Sequence, residues 1–159
     1  MIAMAMDWYH YLKRYIWDER KTPFFIAVGK LDKGQANSEI FLYALFLSVP
    51  GALVVAAALA DIVRNGNLDS IWPGLYAASV CVAAALLRVK KTMAAAYYSI
   101  TVPVSLLAYL YFMGFHPKLG MIDQILLVAV LLLWLRYTVR VAAIAKAYFG
   151  MPEKPETEK

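Results

Sequence analysis

Residues 121–148 read MIDQILLVAVLLLWLRYTVRVAAIAKAY, and this stretch decides the fold. Ile125 to Leu135 is an unbroken apolar run, short for a membrane span by itself. Continued through Tyr137, Val139 and Val141 to Ala143, it reaches the roughly 20 residues needed to cross hydrocarbon. Arg136 and Arg140 stand one helical turn apart and Lys146 follows, so this end can send cationic heads into a headgroup layer while the other end stays apolar.

Working outward, the same signature recurs. The chain is 62% hydrophobic with a mean hydropathy of +0.59, well above the apolar share of a soluble domain, about 45 to 50%. Apolar spans are expected at about 40–62, 71–88, 93–113 and 121–147, giving an all-α integral membrane protein with four transmembrane helices. Asn37 or Ser38 is the expected N-cap of the first, with Glu39 in its first turn. Pro50 should kink that span, with Ser48 near enough to serve a freed carbonyl, and Pro103 should kink the third beside Ser99, Thr101 and Ser105. Ala52, Ala56 and Ala60 form a small-residue ridge that would let another helix approach closely, as would Gly74, Ala77, Ala78 and Cys81 on the second span.

Before the spans, residues 1–38 form an N-terminal segment in which Trp8, Tyr11, Leu12, Tyr15 and Ile16 recur at helical spacing, predicting an amphipathic interfacial helix. The short run Phe24 to Val28 cannot cross and is expected to dip into the interface or to form a brief strand or helix. After them, residues 149–159 carry Pro152, Pro155 and mixed charge, and are expected to be disordered.

Charge sets the orientation. Of the sixteen Lys and Arg residues, fourteen fall before the first span, between the second and third, or at and beyond the end of the fourth, leaving only Arg64 and Lys118 for the opposite side. The positive-inside rule then puts both termini in the cytoplasm of an inner (plasma) membrane protein, on the side of the amphipathic helix. The net charge of +5 sits beside apolar spans, which points to membrane lipids as partners and not to nucleic acid.

Three groups of residues could carry function. Arg88, Lys90, Lys91, Arg136, Arg140 and Lys146 form a basic border suited to lipid headgroups. Ser48, Pro50, Thr101 and Pro103 mark kinks between which an acyl or isoprenoid chain could lodge. Asp61, His116 and Asp123 share the outer face, where a carboxylate could orient a histidine as a base. No phosphate loop, dinucleotide fingerprint, nucleophile elbow or zinc spacing is present in the sequence, and no cofactor or metal is expected. The span interiors carry no Asp, Glu, Lys or Arg away from their ends, which argues against an ion-coupled pump. The leading expectation is a non-enzymatic protein that works by assembly, as a homo-oligomer or an accessory subunit of a membrane complex. A small carrier or channel for a lipid-like molecule (isoprenoid, quinone or phospholipid) or an uncharged solute is the alternative, and a membrane enzyme built on the outer Asp and His residues is the second.

Overall fold

A computed structural model describes Phe24 and residues 26–153. The expected amphipathic helix and the tail from Lys154 onward lie outside the described residues. The described chain is all-helical. Its elements are α1 (Lys33–Asn65), α2 (Ile71–Lys90), α3 (Met93–Ser99), α4 (Thr101–Met113) and α5 (Met121–Ala147), with short 3-10 turns at Val28–Lys30, Leu68–Ser70 and Tyr148–Gly150. α1, α2 with its preceding turn, α3 together with α4, and α5 with its following turn make four segments long and apolar enough to cross a membrane. This is a multi-pass membrane protein.

α1 starts earlier than its sequence suggests. Its N-cap is Asp32, not Asn37 or Ser38: the Gln35 amide donates to Asp32 Oδ1 at 2.7 Å and the Asp32 amide donates to Gln35 Oε1 at 3.2 Å. This reciprocal pair satisfies amides that the helix start leaves open. Asn37 instead accepts from Arg88 at 3.2 Å, and the Ser38 hydroxyl donates to the Gly34 carbonyl. At the other end Gly66 adopts φ +65 and its amide donates to Ile62 O, ending the helix in the left-handed conformation that glycine tolerates best.

α1 and α2 pack antiparallel along their lengths. A Cβ on Gly51 would lie 2.7 Å from Cys81 Sγ, and one on Gly74 would lie 3.0 Å from Ala58 Cβ. The expected ridge of Ala52, Ala56 and Ala60 is not at this contact; all three face outward. The reason lies one and two turns upstream of Leu47. Glu39 and Tyr43 have polar partners on other helices, and the face they share continues through Leu47, Gly51 and Ala58, so the rotation of α1 is set by its polar groups.

The two prolines behave differently. Pro50 sits inside a continuous α1, and the nearby Ser48 hydroxyl donates to Ala44 O at 2.8 Å, one turn before itself, and not to the Phe46 carbonyl that Pro50 leaves without a donor. Pro103 has no amide for the Ser99 carbonyl, and the third span is interrupted at Ile100, between α3 and α4.

Burial is uneven. The core joins Leu31, Ala36, Ile40, Tyr43 and Leu47 to Ala83, Ala84 and Leu87, to Ala95 and Ala96, and to Val141, Ala142, Ile144 and Ala145. These lie toward the end of the bundle that carries Lys33, Lys90 and Ala147, here called the basic end. Toward the other, turn end, Val63, Trp72, Tyr111, Phe112, Met121 and Ile122 face outward.

Candidate functional site

At the basic end α1 is tied to α5 and α3 through two polar knots. Glu39 is fully buried, and Arg140 donates to both its carboxylate oxygens at 2.9 and 3.0 Å while also donating to the Ile26 carbonyl at 2.7 Å. An ion pair with both oxygens engaged is the arrangement in which buried charge is tolerated in a membrane domain. One turn along α1, the Tyr43 hydroxyl donates to Thr138 Oγ1 at 2.8 Å and lies 3.3 Å from Ser99 Oγ. Thr138 and Ser99 give their own protons to the Trp134 and Ala96 carbonyls. Tyr137 packs edge-on against Tyr43 with ring centroids 5.7 Å apart.

The rest of the basic border divides in two. Arg88 donates to Asn37 and lies 4.4 Å over the Phe41 ring, and Lys91 donates to the Arg88 carbonyl and faces the Tyr148 ring. Burial, with the Arg88 charge adding to it, pushes the Lys91 ammonium below its usual pKa. Lys90, Arg136 and Lys146 are exposed and have no partner among the described residues. The start of the expected tail is also held: Met151 is buried, Pro152 O accepts from the Lys33 amide, and Lys33 Nζ pairs with Glu153 at 2.9 Å. A buried methionine and a helix-start amide in need of an acceptor account for this docking.

The three residues expected on the outer face each serve their own turn. Asp61 accepts from Asn65 at 2.6 Å, from Asn67 at 2.8 Å and from Ser70, closing the α1–α2 connection. His116 Nδ1 accepts from the Lys118 amide, and Asp123 Oδ2 accepts from the Gly120 amide at the start of α5. Among the described residues no group of three His, Cys, Asp or Glu side chains stands together as metal ligands would.

From the middle of the bundle toward the turn end the helices separate around a cleft of about 670 Å³. α1 contributes Phe46, Leu47, Pro50, Gly51 and Val54; α2 contributes Pro73, Tyr76, Ala77 and Val80; α4 contributes Val102, Ser105, Leu106 and Tyr109; α5 contributes Trp134. Phe46 and Trp134 meet edge to face at 5.0 Å, bridging α1 and α5 in the cleft wall. The Trp134 indole N–H is buried outside hydrogen-bond geometry, but near enough to the Tyr43 hydroxyl to interact with it. Pro50 is thus a lining residue; Ser48, Thr101 and Pro103 are not, although Thr101 is reached through Tyr76.

No protein family, curated protein or solved structure matches this chain. The geometry therefore carries the functional reading. A concave, almost wholly apolar space of this size falls inside the range of small-molecule sites, about 300 to 1,000 Å³. Sequence reasoning marked Pro50 but missed Pro73, Tyr76 and Trp134 as lining residues, and it missed the Glu39 partner of Arg140. A partial signal for that pair was present: Glu39 and Arg140 fall at the same end of their spans, on the side where the basic residues gather.

Proposed function

We propose that the chain is a non-enzymatic multi-pass membrane protein that binds the hydrocarbon of a lipid-like molecule in the cleft between α1, α2, α4 and α5. The single observation that carries this reading is the cleft itself, lined by Pro50, Val54, Val102 and Leu106 without one charged side chain. An apolar groove within a bilayer offers no place for water, and a chain drawn from the surrounding lipid is the occupant its chemistry suits. The cationic border supports an inner-membrane setting with both chain ends cytoplasmic, and exposed Lys90, Arg136 and Lys146 are suited to anionic headgroups there.

The test is native mass spectrometry of the full chain released from its own membrane. Wild type should retain a lipid adduct, and the cleft-filling pair Val54→Trp with Leu106→Trp should lose it while keeping its unfolding midpoint. An identical adduct on the filled variant would contradict the reading.

A second reading, assembly with another copy or a membrane partner, is supported by the outward Ala52, Ala56 and Ala60 ridge. There Ala56→Phe should lower the particle mass in nanodiscs, and an unchanged mass that already equals one chain would count against assembly.

A further inference from the structure

We infer that the cleft selects an uncharged lipid whose head group donates a hydrogen bond, an alcohol-headed lipid, and that the donor is received by Tyr76 and Ser105. This rests on the cleft being a lipid site and adds its chemical selectivity. Two observations carry it: where the hydroxyl protons go, and where charge is missing.

The hydroxyls bordering the cleft form a ladder between α2 and the broken third span. Ser105 donates to the Val102 carbonyl at 2.9 Å, and Thr101 donates to the Tyr98 carbonyl at 2.8 Å. A serine or threonine hydroxyl has one proton, so both are committed. Tyr76, whose oxygen lies 2.9 Å from Thr101 Oγ1 and 3.5 Å from Ser105 Oγ, then gives its single proton to the nearer of them, Thr101, and leaves Ser105 Oγ able to accept. One turn along α2 the pattern repeats. Ser79 donates to the Tyr76 carbonyl at 2.7 Å, which makes Tyr98 the donor in its 2.6 Å contact with Ser79 Oγ. Every proton in the ladder is given away inside the protein, and lone pairs remain.

Two of these oxygens, on Tyr76 and Ser105, belong to side chains that line the cleft. An unoccupied acceptor in an apolar membrane site is matched by a donor, not by a second acceptor such as an ether or a quinone carbonyl. A phosphate or carboxylate head would enter a lining that holds no Lys, Arg or His, at the cost of an unpaired charge. A hydroxyl head on an apolar chain meets both conditions.

The experiment uses the full chain in nanodiscs with radiolabelled farnesol, competed by unlabelled farnesol, 1,2-dioctanoylglycerol, farnesyl methyl ether and farnesyl phosphate. Farnesol should bind saturably and compete about fivefold better than its methyl ether, the value of one net hydrogen bond. Dioctanoylglycerol, which carries the same donor on acyl chains, should compete alongside farnesol, and farnesyl phosphate should be weaker than either. Tyr76→Phe, at a partly exposed ring, should erase the preference for alcohol over ether, so that the two compete equally at an unchanged unfolding midpoint; Ser105→Ala should reduce it. Saturable farnesol binding with equal competition by the ether, stronger competition by the phosphate, failure of dioctanoylglycerol, or a full preference in Tyr76→Phe would each overturn the donor assignment and leave the cleft standing. Absence of any saturable farnesol binding would overturn the cleft reading with it.

Discussion

The two ends of this bundle are built on opposite principles. At the basic end α1 meets α3 and α5 through a buried ion pair and a tyrosine bridge, and small residues on α2, α3 and α5 close the gaps. From mid-span to the turn end no comparable polar link joins α1 to α5 among the described residues; a cleft opens between them, α2 and α4, and many large apolar side chains face outward. The difference follows from solvent. Lipid contacts an apolar side chain as readily as another helix does, so apolar residues alone do not hold spans together, and packing of small residues or polar bridges must do it. Where such bridges stop, a space opens.

The largest expected effect comes from breaking the closed end. Arg140→Leu leaves the Glu39 carboxylate buried and unpaired and should cost about 3 to 5 kcal/mol, read by denaturant unfolding in mixed micelles. Glu39→Leu with Arg140→Leu should recover most of that loss, because the pair is worth far less than the orphaned charge. Next is the α1–α2 seam, which borders both regions. Gly51→Ala drives a methyl into Cys81 Sγ and should cost about 1 to 3 kcal/mol as an overpacked contact, relieved when Cys81→Ala is added. Tyr43→Phe should cost only about 0.6 kcal/mol, the average for a hydrogen bond between membrane helices, since Ser99 and Thr138 keep their backbone acceptors.

The smallest effects lie outside the spans. Asp61→Ala should speed amide exchange through the α1–α2 turn without moving the unfolding midpoint. Lys33 beside Glu153 holds that carboxyl below the usual carboxylate range, by hydrogen bonding first and charge second. A depressed pKa means the contact contributes above the free glutamate pKa and is lost as pH falls through the lowered value. Protease access to the tail should therefore rise in acid, and Glu153→Gln should show that higher access already at neutral pH.

The spans were legible because length and hydropathy alone make a bilayer crossing; the Gly120 amide donating to Asp123 at the start of α5 was not among the sequence expectations. The third span is interrupted at Ile100, three residues before Pro103; the missing amide of a proline is a covalent fact, but where the helix breaks depends on neighbours. The rotation of α1 was not legible. Ala52, Ala56 and Ala60 have the spacing of a packing ridge, yet that spacing does not say which face turns inward, and the decision was made by Glu39 and Tyr43 through residues about a hundred positions away. Tyr76 was invisible for the same reason: an aromatic residue after Pro73 reads as an interface anchor until Thr101 and Ser105 are placed beside it.

The most direct test of the open cleft is photolabelling of the full chain in its own membrane with a diazirine-bearing alkyl alcohol, with and without excess farnesol, mapped by peptide mass spectrometry. Label on Val54, Val102 and Leu106 should be competed away while label on outward Leu53 and Val63 persists. Label that farnesol leaves untouched in the cleft, or removes equally from every outward face, would contradict the account.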